Sequence, residues 1–191
     1  MPRRQGDTDH DAESIEFATS WLEDARTWPL GPAWVSASWR DEPGEVPPLV
    51  FVVLTRLAPD GRLMAAAAAV DRTCLGVRSA ALFAPMPSGE LEELLTALLR
   101  DEHPFEACDA ELAQSILFHA IDYASALGFA PHPDFVESFY GPRLYPLMAV
   151  PCARPARPVY VAGPRDAVDD VVAHLERVVG SGNYDVVQAA V

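Results

Sequence analysis

Lysine is missing from this chain: all 14 basic residues among its 191 are arginine. Without an ε-amine the protein cannot form a Schiff base, anchor pyridoxal phosphate or complete an ordinary P-loop. Cysteine is scarce. Cys74, Cys108 and Cys152 are odd in number and form no CxxC pair, a pattern that suits reduced thiols better than a disulfide framework or a zinc cage. Long apolar runs are absent too, the longest being the eight residues from Leu63 to Val70, against the ~20 needed to cross a bilayer. Arg3 and Arg4 lead into Asp7, Asp9, Asp11 and Glu13 in place of an apolar stretch, so no secretory signal is read and the expected compartment is the cytoplasm. Positive charge is in deficit: 28 acidic residues leave a net charge of −14, which opposes the attraction behind nucleic-acid and anionic-membrane binding. Neither is an expected partner.

What is present belongs to an ordinary globular chain, with 50% apolar and 22% charged residues. The pattern predicts an α+β fold: an antiparallel strand meander packed by helices, followed by a C-terminal βαβ-like unit. Residues 1–11 are polar and acidic and read as a mobile tail. Residues 12–191 read as one globular domain, in which 158–191 could form a sub-lobe. Ile15, Ala18, Trp21, Leu22 and Ala25 recur at helical spacing from Ser14, and the helix must end before Pro29. Strands are predicted at Ala33–Trp39, Leu49–Arg56, Leu63–Val70 and Val77–Phe83. Alanine favours helix, but the run Ala65–Ala69 has too little room between the Asp60-Gly61 turn and Asp71, so a hairpin strand is preferred.

Ser88 is predicted to cap a helix with Leu91, Leu94, Leu95, Leu98 and Leu99 on one stripe, and a second runs from Asp109 to Leu127, stopped by Gly128. Its inward positions are Ala113, Ile116, Leu117, Ala120, Ile121 and Ala124. After Pro131-His132-Pro133, Asp134 can cap a short helix ending near Gly141. The tail then reads as strand Pro158–Ala162, helix Asp166–Val179 with Val168, Val171, Val172, Leu175 and Val179 inward, and strand Tyr184–Val187.

Three stretches carry a resemblance: VDRTCLGVR at Val70–Arg78, AQSILFHAIDYASALGFAPHPDF at Ala113–Phe135, and VYVAGPRD with the later VGSGNYDVV. Together they resemble a family of bacterial cytosolic proteins with no established activity. The likeness covers about residues 33–188 and implies a shared fold without carrying a function across. The family usually has lysine where this chain has Arg78 and glutamate where it has Asp122, both chemically mild departures.

Several residues could carry chemistry. Cys74 follows Asp71 in a strand-to-strand turn. A nucleophilic thiol needs a base, which His132 could supply with Asp134 as orienter. The plainer reading makes Cys74 a buried core thiol. His132 and Asp134, joined by His119 or Asp122, could also form a nitrogen and oxygen set for zinc, iron or manganese, although no HExxH-type spacing supports it and the same residues serve as helix cap and carbonyl partner. No metal or other cofactor is expected. Gly163-Pro164-Arg165-Asp166 lies between a strand and a helix, where backbone amides attract anions. A proline and an aspartate cap at the helix start explain it equally.

The acid-free segment Ser138–Arg165 holds Arg143, Arg154, Arg157 and Arg165. It could hold a small anionic ligand or an acidic protein partner, or it could neutralise the acidic body of the chain itself. Gln114, His119 and Tyr123 share one helix but are not counted as a site. Two functional readings follow. The first is a non-catalytic interaction or regulatory domain, because no triad, metal box, phosphate loop or dinucleotide fingerprint stands at its proper spacing. The second is a small hydrolase built on Asp71, Cys74, His132 and Asp134, as a Cys/His/Asp or a His/Asp metal site.

Overall fold

The computed structural model describes residues 21–41, 49–98, 104–143, 146–151, 155–164 and 166–188. Its centre is a five-stranded antiparallel sheet made from β1 (Leu30–Ser36), β2 (Val50–Leu57), β3 (Leu63–Asp71), β4 (Gly76–Met86) and β5 (Phe105–Cys108), in the order β4-β3-β2-β1-β5. The first four strands are a plain meander, since each hairpin link returns the chain beside the strand it has just left. The alanine run is strand, as expected, and every residue of β3 is buried. Its side chains alternate between faces. Met64, Ala66, Ala68 and Val70 join Val35, Val52, Leu54 and Val77 on one face, while Leu63, Ala65 and Ala67 join Val53 on the other.

Each face is covered by a helix. α1 (Ser88–Leu98) sets Leu91 and Leu95 on the second face, and α2 (Ala110–Ala126) sets Ile116, Leu117, Phe118, Ala120 and Ile121 on the first. Alanines in β3 keep both surfaces low there, so helices can approach from both sides. α2 comes close to the sheet at Gly76, which has φ +70, and where a Cβ would stand 2.8 Å from the Ala124 Cβ and 3.3 Å from the Ala120 carbonyl oxygen. Only glycine satisfies both the backbone angle and the space.

α3 (Val168–Val179) links β6 (Val159–Ala162) to β7 (Asp185–Gln188), which pair in parallel as a separate two-stranded sheet. This unit is sewn to the main body at the β3–β4 turn, where the Val159 N–H donates to the Thr73 carbonyl at 3.1 Å. A third apolar cluster lies in the seam: Cys74, Leu127, Tyr160, Ala162 and Leu175. All six inward residues expected of α2 are buried, whereas of the five expected of α3 only Leu175 is.

Several boundaries differ from expectation. β1 starts at Leu30 and stops at Ser36, with Trp39 in a tight turn over Ala37–Arg40. β4 runs on to Met86. Asp134 caps no helix: the short turn is Glu137–Tyr140 with Val136 at its N-cap. Asp166 does not cap α3 either, because that helix follows Ala167. β5 was not anticipated, being four residues without a periodic signal, and it exists through its pairing with β1. Of the predicted N-terminal helix, residues 21–25 are helical, and its earlier part and the tail lie outside the described residues. Leu99 does as well.

Candidate functional site

The β3–β4 turn is organised by one carboxylate. Asp71 is 4% exposed. Its Oδ1 accepts the Thr73 N–H at 2.8 Å, the Thr73 hydroxyl at 2.9 Å and the Cys74 N–H at 3.0 Å, while Oδ2 accepts the Leu75 N–H at 3.1 Å. Four donors converge because the turn leaves successive amides without strand partners, and an aspartate at the strand end reaches them locally. Arg72, 3% exposed, points the other way and donates to the carbonyls of Trp39 (2.7 Å), Pro151 (3.0 Å), Asp41 (3.2 Å) and Ser38 (3.3 Å). The turn therefore locks neighbouring loops.

Cys74 has no solvent exposure and packs in the cluster with Leu127, Tyr160 and Leu175. Burial, reinforced by the Asp71 charge and only partly offset by Arg78, pushes its thiol up to about 12. At neutral pH it is a protonated thiol, which is a poor nucleophile. Cys108, half-buried, is likewise raised, to about 11, chiefly by burial. Cys152 lies outside the described residues.

His132 sits on the edge of β4, its N–H donating to the Val77 carbonyl at 3.0 Å. Its Nδ1 accepts the Asp134 N–H at 3.2 Å and lies 3.7 Å from the Asp134 carboxylate, which is two-thirds exposed. This ring nitrogen is thus occupied by the Asp134 backbone. Among the described residues no hydrogen bond joins it to Cys74, whose charged neighbours are Asp71 and Arg78. His119 is turned elsewhere, its Nε2 donating to the Met148 carbonyl at 2.9 Å, and Asp122 is held by Arg143. Among the described residues no group of three His, Cys, Asp or Glu side chains is placed to hold a metal ion.

The arginines meet internal partners. Arg143 donates to Asp122 at 2.5 Å and Glu137 at 2.9 Å and lies over the Phe118 ring at 4.6 Å. Arg157 donates to the carbonyls of Gly182 (2.7 Å) and Tyr184 (3.2 Å) and to Asp185 at 3.1 Å. Arg154 and Arg165 lie outside the described residues. The chain matches none of the family models, curated proteins or solved structures with which it was compared. Among the described residues no helix is long and apolar enough to cross a membrane.

One polar cluster escaped the reading of the sequence. Asp166 accepts from Arg78, from the Tyr160 hydroxyl at 2.9 Å and from the Gly163 N–H at 2.8 Å, and Arg78 also donates to the Val161 carbonyl at 2.9 Å. Burial acts to raise the Asp166 carboxyl, but the Gly163 amide, Arg78 and Tyr160 outweigh it and hold it below the usual range. Tyr160 moves the other way, to about 12, mainly through burial and then through its bond to Asp166. Arg78 and Asp166 are 88 residues apart, a separation that leaves no local signal.

Proposed function

We propose that this protein is a non-catalytic interaction or regulatory domain, and that it belongs with the bacterial family its three motifs resemble. The observation that carries the first part is how the groups of the rival catalytic reading are spent. The Asp71 carboxylate is filled by four donors, and the Cys74 thiol is sealed in an apolar seam. The hydrolase of that reading needs a reactive thiolate or an open coordination position, and neither property accompanies such placement. Arg143 and Arg157 do not add to the catalytic reading, since both pair with acids of the chain itself and not with an open cleft for an anionic substrate.

The test is thiol reactivity in the native protein at neutral pH. A small electrophilic probe should label Cys74 no faster than Cys108, with Cys74 reacting fully only after denaturation. Fast, selective labelling of Cys74 in the folded state would replace this reading with the small hydrolase built on Asp71, Cys74, His132 and Asp134.

A further inference from the structure

The two edges of the main sheet are unlike. β5 is four residues long and carries Glu106 paired with Arg40, a short charged edge of the kind that discourages strand addition. β4 is eleven residues long, and no charged residue occurs from Ser79 to Gly89. Of the usual guards of an open edge, β4 has Pro85 near its end and two irregularities in its register with β3, but the stretch from Ser79 to Ala84 holds neither proline nor charge.

The pairing pattern shows which backbone groups this edge presents. The Leu57 N–H bonds the Pro29 carbonyl and the Phe51 N–H bonds the Ser36 hydroxyl, so odd-numbered β2 residues direct their amides away from β3. Even-numbered ones then bond β3. Carried through the two registers, this alternation makes Ser79, Ala81 and Phe83 exchange hydrogen bonds with β3, and it turns the N–H and C=O groups of Ala80 and Leu82 outward. Val77, on the outward-facing set, does bond outward, to His132. Among the described residues nothing outside β3 bonds the backbone of Ala80 or Leu82. Ser79 and Ala81 are exposed, and Ala80, Leu82 and Phe83 half-buried.

We propose that β4 pairs antiparallel with β4 of a second copy of this chain, with the two-fold axis at Ala81, to make a continuous ten-stranded sheet. The sequence is self-complementary in that register. Ala81 faces its own copy at a non-hydrogen-bonded position, where side chains come closest and only a small one fits. Ala80 then faces Leu82 and exchanges both backbone bonds with it, and Ser79 faces Phe83, so each large residue meets a small one and no charges meet; the pairing ends at Ser79, because the register with β3 shifts there and His132 holds the edge at Val77. A chain of net charge −14 repels its copies, and β4, which holds no acidic residue, brings no carboxylates face to face along the paired strands. Pairing like with like also closes the assembly, whereas β4 on β5 would propagate. The inference rests on backbone geometry and holds whether or not the domain is catalytic.

Sedimentation of the full chain tests it. The wild type should be a dimer, and Ala81→Arg, which sets two guanidinium groups together at the axis on an exposed position, should raise the dissociation constant at least about ten-fold. Its thermal midpoint, extrapolated to low concentration, should stay that of the wild-type monomer. Ala81→Cys should cross-link into a dimer under mild oxidation while the wild type does not. A wild type that is monomeric at about 100 µM, an Ala81→Arg protein as dimeric as the parent, or an Ala81→Cys protein that fails to cross-link would overturn the proposal. Should Ala81→Arg fail to fold, the cross-link alone decides.

Discussion

The Asp71 carboxylate accepts the backbone N–H of Cys74 at 3.0 Å while its charge helps to keep the thiol of the same residue protonated. One side chain thus builds the turn and quenches the nucleophile that the turn carries. Asp71→Ala would leave the Thr73, Cys74 and Leu75 amides without their acceptor in a buried turn, where each unsatisfied group costs about 1–3 kcal/mol. A loss of at least about 3 kcal/mol is expected from denaturant unfolding. A loss under about 1 kcal/mol would mean that the turn forms without its carboxylate.

Gly76→Ala should also be severe. The new methyl would meet the Ala124 Cβ at 2.8 Å on a backbone at φ +70. Left-handed geometry costs a non-glycine residue roughly 1–2 kcal/mol and overpacking about 1–3 more. The urea midpoint should fall accordingly, and pairing Gly76→Ala with Ala124→Gly should recover the steric part but not the backbone part.

Arg72→Lys tests the loop lock. A guanidinium fork reaches four carbonyls belonging to two segments of chain, Ser38–Asp41 and Pro151, and an ammonium on a different stem cannot span them. A loss of about 2–4 kcal/mol is expected in equilibrium unfolding, in the range for breaking buried charged contacts. A neutral result would show that the loops are held by other means.

Stability should fall at both ends of the pH scale. Asp166 has a depressed carboxyl pKa in the fold, so its contribution is present above the ordinary carboxylate value of about 4 and fades as pH drops through the lower folded value. Asp166→Asn should flatten the acid limb of a stability profile. Cys74 is the reverse case. Its thiol is raised to about 12 from an ordinary value of 9.0, so its contribution is complete below 9.0 and lost as pH rises towards 12. Cys74→Ser should diminish the alkaline loss attributable to the thiol. An unchanged profile in either variant would count against the placement of that group.

Much of this architecture was legible in the chain. The meander follows from alternating runs separated by Asp60-Gly61 and similar turns, and α2 from apolar residues at helical spacing closed by Gly128, whose φ is +83. Even the alanine run was readable as strand, because Asp60-Gly61 and Asp71 left no room for a helix. β5 was not legible. Phe105–Cys108 becomes a strand only because β1 offers a free edge 69 or more residues away in sequence. The candidate site behaved similarly: the residue types around Cys74 and His132 suggested chemistry, but a side chain's exposure and partners are set by what the fold lays over it.

What the sequence alone determined is local and periodic. Absence of lysine, scarcity of cysteine, acidic charge and the two hydrophobic periods bound the chemistry and delimit most elements, because each depends on composition or on neighbours within a few residues. Tertiary structure decided the rest. It sealed the Cys74 thiol in a seam between two sheets, joined Arg78 to Asp166 across 88 residues, and left β4 as an edge that is uncharged from Ser79 onward. Burial and long-range pairing are properties of distant segments brought together, and no window of sequence contains both partners.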